Sequence, residues 1–149
     1  MHGYKWPINC TRTHPADVNL EGGTATLVEL LKDRARMIAQ ELAEDFNAQQ
    51  AAGASFDEAL NSVATAGWHA TECHCHYVMA KNALEAIPKQ VQDPNAAVAL
   101  IKLLDLGILQ IIKEGGADFS HILDRAQIRQ AGLMVRISPK SSLNISTFP

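Results

Sequence analysis

Apolar residues Leu27, Leu31, Ala35, Ile38, Leu42 and Phe46 recur at three- and four-residue intervals, while Glu29, Lys32, Asp33, Arg36 and Glu44 fall mostly on other faces. That pattern predicts an amphipathic helix. Thr26 with Glu29 has the spacing of a capping box that would open it, and Gly53 would close it. Ser55 with Glu58 repeats the box and predicts a second helix running to about Ile87, ahead of Pro88. Asp93 before Pro94 is a third start signal, because Asp caps and Pro fits the first helical position. The helix it opens runs to Gly115 and Gly116. It is apolar nearly all round (Val98, Leu100, Ile101, Leu103, Leu104, Leu106, Ile108, Leu109, Ile111, Ile112), so it is expected to be the central, most buried element. Asp124 with Gln127 predicts a short fourth helix carrying Ile128, Leu133 and Val135.

The fold class expected is therefore all-α, an antiparallel bundle of about four helices. Residues 1–23, with Pro7, Pro15, Gly22 and Gly23 and no sustained period, read as an irregular lead; residues 24–135 form the helical domain; residues 136–149, ending RISPKSSLNISTFP, read as a polar tail that does not pack. The tail's Asn144-Ile145-Ser146 matches a glycosylation sequon, taken as chance in a chain without a secretory start. The run Ala96–Ile112 carries Lys102 and Asp105 at its middle, where hydrocarbon penalises each charge by roughly 2.5–3.5 kcal/mol, so a buried helix is expected and not a membrane span.

Composition narrows the class of partner. Of 149 residues, 47% are apolar but only 5% aromatic, which favours helix over sheet and suffices for one domain. The formal charge of −3 comes from interspersed acids and bases, so nucleic acid is not an expected partner. Cys10, Cys73 and Cys75 are odd in number, and the start MHGYKWPINC has no apolar signal core; a reducing compartment without disulfides is expected.

The densest chemistry is HATECHCHYVMAK, residues 69–81. At about 100° per residue, Phe56, Ala59, Leu60, Val63, Gly67, Ala70, His74, Tyr77 and Val78 share one arc. This arc is taken as the core face, with His74 inward. Glu58, Asn61, Ser62, Thr65, His69, Glu72 and His76 share the opposite arc. His69, Cys73 and His76, at i, i+4 and i+7, could offer up to three zinc ligands, yet no second Cys/His cluster supplies a fourth. Cys10, His2 and His14 lie in the lead, and His121 stands alone. The expectation is a solvated face and no metal. Cys73 and Cys75, two apart on a helix, point about 160° away from each other, so they cannot act as a CxxC pair and are expected to be buried and inert. No nucleophile elbow, GxGxxG or GxxxxGK[ST] pattern is present, so no catalytic residue is assigned.

ECHCHYVMAK, late in a long helix, resembles the Cys-His-Tyr segment in the C-terminal helical region of peroxisomal acyl-CoA oxidases. LVELLKDRARMIAQELAE upstream resembles that region's first helix, and QDPNAAVALIKLLDLGILQIIKEGGADF resembles the next helix and its closing Gly-x-Asp-Phe turn, here Gly116-Ala117-Asp118-Phe119. About residues 20–133 are covered. A second echo, His2-Gly3-Tyr4 followed by Glu21-Gly22, is similar to the family's catalytic segment but is set aside, because the helix after it matches the later region; Glu21 is read as a surface carboxylate.

The resemblance implies an FAD enzyme of fatty acid β-oxidation that converts acyl-CoA and O2 to trans-2-enoyl-CoA and H2O2, a glutamate taking the α-proton while hydride passes to the flavin. The flavin-binding β-domain and that glutamate would precede residue 1. The part present is thus expected to be the C-terminal helical domain, structural and dimerising, not catalytic alone and binding no FAD by itself. Its implied partners are the flavin-binding domain or a second subunit in a homo-oligomeric parent. The compartment implied is the peroxisome, or the cytoplasm for a chain closing on Thr147-Phe148-Pro149 without a targeting tripeptide. The alternative is a small non-enzymatic helical binding module, with a metal on His69, Cys73 and His76.

Overall fold

A computed structural model describes residues 18–142. Among them there is no strand, and five helices pack as a bundle: α1 (Thr24–Ala51), α2 (Phe56–Ser62), α3 (Ala64–Gln90), α4 (Pro94–Glu114) and α5 (Arg125–Ser142). α1 packs chiefly on α3, and α4 chiefly on α5. The lead's His2, Cys10 and His14 and the sequon at Asn144 lie outside the described residues.

Local signals set most helix ends. The Ser55 hydroxyl accepts from Glu58 N while the Glu58 carboxylate accepts from Ser55 N, so this capping box forms as expected. Asp93 caps α4 through Asn95 N at 2.8 Å, with Pro94 in the first turn. Asp124 and Gln127 exchange bonds of 2.7 and 2.8 Å ahead of α5. Gly53, at φ 98°, turns the chain after α1.

The Thr26 box does not form. α1 is capped three residues earlier, because Gly23 at φ 91° turns the chain and its carbonyl accepts from Thr26 N and Leu27 N. The Thr26 hydroxyl bonds back to Gly22 O instead, and Glu29 pairs with Lys32 at 2.8 Å.

The expected second helix is broken at Val63. The Ser62 hydroxyl takes the Ala59 carbonyl at 2.7 Å, and Val63 N reaches the same carbonyl only at 3.3 Å, a side chain competing with the ladder. α3 then passes Pro88 and ends at Gln90, with Val91 N on Ile87 O; so close to the end, the missing proline N–H removes one bond and not a helix. α5 likewise outruns its expected end near Val135, and its backbone stays helical to Ser142.

The core gathers at one end of the bundle. Leu27, Val28, Leu30 and Leu31 of α1 meet Ile108, Leu109 and Ile112 of α4, Ala80 of α3, Ala131 of α5, and Phe119, Ile122 and Leu123 of the connection between α4 and α5. α4 is consequently not the central element that its composition predicts. Only its second half is covered, and Val98, Leu100 and Leu103 stand exposed, Leu103 by 63%. By length and composition alone α4 could cross a membrane, and only 17% of its apolar window is buried in this bundle, but Lys102 and Asp105 interrupt it. The apolar surface that a soluble bundle must hide is left bare along half of this helix.

Candidate functional site

The most concentrated polar chemistry in the described fold is built around one buried cation. Arg34 occupies the apolar stripe of α1, three and four residues from Leu31 and Leu30, and is only 4% exposed. Such a charge needs a partner. Asp118 supplies it from the turn after α4: Arg34 Nε and Nη2 donate to the same Asp118 Oδ2 at 2.9 and 2.6 Å. The turn that presents Asp118 is closed by Asp118 N on Gly115 O at 2.9 Å. A side chain at Gly115 would meet Ile111 O at 3.2 Å and Arg34 Nη2 at 3.3 Å, so glycine there lets the guanidinium lie against the turn. Phe119, fully buried, places its ring 5.3 Å beneath the Arg34 guanidinium carbon.

α3 completes the cluster. His69 Nε2 lies 3.1 Å from Asp118 Oδ2 and 3.8 Å from Cys73 Sγ, and His76 Nδ1 lies 3.4 Å from Arg34 Nη1. Glu72 Oε2 is 3.6 Å from His69 Nδ1 on the solvent side. Burial pushes the Cys73 thiol up from its ordinary range; the Arg34 charge opposes this, and the Asp118 and Glu72 carboxylates add to it. Cys73 is therefore held as a protonated thiol at neutral pH.

These positions revise the expected helical arcs. The inward face of α3 is centred on Cys73, with Ala70 and Ala80 buried and Tyr77 half-buried, while His69 and His76 flank it, half-buried. His74, expected inward, is exposed. Phe56 and Leu60 of α2, also expected inward, are exposed, although Ala59 and Val63 are buried as expected. Phe56, Leu60 and His74 lie toward one edge of the expected arc and are exposed on both sides of the break at Val63, so the buried arc is shifted toward Ala59, Ala70 and Cys73 in both helices. The expectation of two buried thiols holds for Cys73 and fails for Cys75, which is exposed. In a Cys10→Ser chain under native conditions, a maleimide should modify Cys75 quickly and Cys73 only on unfolding; equal labelling, read by mass spectrometry of the peptides, would contradict this face assignment.

Asp118 and Arg34 are the residues sequence reasoning did not assign. Nothing in its local pattern marks Asp118, because its partners lie on α1 and α3 and not beside it in the chain. A cation on the Leu27/Leu31 stripe was the available signal, because it demands a buried acid somewhere else in the chain.

A cleft between α1 and α3 is lined by Val28, Glu29, Tyr77, Lys81 and Leu84 among others and has a volume near 210 Å³. That is below the roughly 300–1,000 Å³ of ordinary small-molecule sites. This cleft does not fit an FAD.

Fold and cluster together define a helical bundle pinned by an ion pair between α1 and the turn after α4. Residues 23–134, about three quarters of the chain, match the acyl-CoA oxidase family, and the chain belongs to that family. The matched span reaches from the glycine that opens α1 to the middle of α5 and takes in every residue of the cluster. No curated protein is a match for the chain.

Proposed function

We propose that this chain is the C-terminal helical domain of an FAD-dependent acyl-CoA oxidase and acts there as a supporting and dimerising part, not as a catalyst. The parent reaction is oxidation of a fatty acyl-CoA by O2 to the trans-2-enoyl-CoA and H2O2, and the compartment is the peroxisome. Flavin binding and the catalytic glutamate are assigned to other parts of the enzyme, and the contribution of these helices is to cover apolar surface and hold geometry.

The observation that carries the reading is the bare apolar surface. On α3, Trp68 is 77% and Met79 69% exposed, and on α4 Val98, Leu100 and Leu103 are exposed as well. Family membership over residues 23–134 supplies the kind of partner. Scattered exposed apolar residues are ordinary, but an apolar helix half left uncovered fits a surface that another domain or subunit buries.

The test uses the full chain mixed with an acyl-CoA oxidase from which the C-terminal helical region has been deleted. A complex on size-exclusion chromatography, weakened about tenfold or more by Leu103→Lys, is expected. A charge placed in a desolvated contact costs well over 1.4 kcal/mol, the equivalent of that factor. Two results would overturn the reading: no complex with the truncated oxidase, or peroxide formed from an acyl-CoA by this chain alone.

A further inference from the structure

We propose that His69, Cys73 and Asp118 form a zinc-binding site, on grounds separate from the oxidase reading. One atom of each, a ring nitrogen, a sulfur and a carboxylate oxygen, lies within 4.8 Å of the others. Ligands at about 2.0–2.3 Å from a tetrahedral zinc lie about 3.3–3.7 Å from one another. The two separations seen here, 3.1 Å from His69 Nε2 to Asp118 Oδ2 and 3.8 Å from His69 Nε2 to Cys73 Sγ, bracket that range. The third edge needs to contract by about 1 Å at most, within reach of side-chain torsions. Imidazole, thiolate and carboxylate are the donor types zinc takes, and three of them leave a fourth position for water.

The surroundings have the form of an outer shell. Arg34 donates twice to Asp118 Oδ2 and fixes the carboxylate's direction, so zinc must replace one of those two bonds or be ligated through Oδ1 while Arg34 keeps Oδ2. Glu72 faces His69 Nδ1 at 3.6 Å, which leaves Nε2 for the metal. His76 faces Arg34, not the three ligands, so it is displaced by Asp118 from the His69, Cys73, His76 set that helical spacing alone would choose. On binding, the Cys73 S–H bond breaks, a Zn–S bond forms and the proton passes to solvent. Zinc adds two positive charges and the thiolate one negative; Asp118 already balances Arg34, and Glu72 offsets what remains. The half-exposed His69 side chain provides the path of entry.

The experiment takes the full chain, stripped with a chelator and then titrated with zinc alone and, separately, with cobalt(II). Expected are one tightly bound zinc per chain by elemental analysis and a thiolate-to-cobalt charge-transfer band. Cys73→Ala should weaken zinc by more than about 100-fold, beyond the range seen for loss of an outer-shell partner, and abolish the band. Cys75→Ala should change neither. Should Cys73→Ala fail to fold by circular dichroism, His69→Ala at its half-exposed position gives the same decision on affinity. A chain that takes up no zinc at micromolar free metal overturns the proposal. So does wild-type affinity in the folded variant, which would place the metal on other residues.

Discussion

Asp118→Ala is expected to destabilise the domain by about 3–5 kcal/mol, because it strands the Arg34 guanidinium in the interior without its carboxylate. Domains of this size are stable by about 5–15 kcal/mol, so much of the margin would go. The two sides of the pair are not equivalent. The Arg34 side chain is 5% exposed and that of Asp118 19%, with His69 also beside the carboxylate. Removing the arginine therefore leaves an anion with partial access to water, whereas removing the aspartate leaves a cation with almost none. Arg34→Met should accordingly cost less than Asp118→Ala, and the double variant should cost less than the two single losses combined. Urea midpoints at unchanged slope would measure all three. An Asp118→Ala chain no less stable than Arg34→Met would show that the guanidinium is not held by this pair.

The second large effect is expected at Phe119. The ring is fully enclosed and touches both the hydrophobic core and the face of Arg34. Phe119→Ala should cost about 3–5 kcal/mol, from lost burial and the cavity that remains. Phe119→Leu retains much of the volume but loses the π face, worth about 2 kcal/mol for a desolvated cation. It should fall between wild type and alanine, and a leucine variant as damaged as the alanine variant would point to shape alone. Because Phe119 and Arg34 are in contact, these losses will not add to those at Asp118.

How much of this could be read from the chain differs by residue. Ser55, Asp93, Asp124 and Gly53 act on backbone within a few residues of themselves; the first three open a helix and Gly53 follows the end of one, where the sequence places them. The Thr26 box failed for an equally local reason, the freedom of Gly23, which a spacing rule does not weigh. Val63 is a subtler case: a break there separates α2 from α3 without any Gly or Pro to mark it. The buried arc is shifted on both sides of that break, which leaves Phe56, Leu60 and His74 outside and Cys73 inside. The site itself was half legible. His69 and Cys73 were candidates on spacing, whereas Asp118 lies 49 positions beyond His69 and reaches it only through the docking of the turn against α1 and α3.

What the sequence determined alone was therefore one-dimensional: the helical class, most helix ends, and the resemblance that the match over residues 23–134 bears out. These follow from periodicity, capping and the order of motifs, all of which act or are read within short windows. Tertiary structure decided which faces are covered. α4 is apolar nearly all round, yet only the half met by α1, α5 and the Phe119 turn is buried, because burial is a property of neighbours and not of composition. It also decided where Arg34 finds its counter-charge, since the low dielectric that makes the pair obligatory exists only once the helices have closed around it.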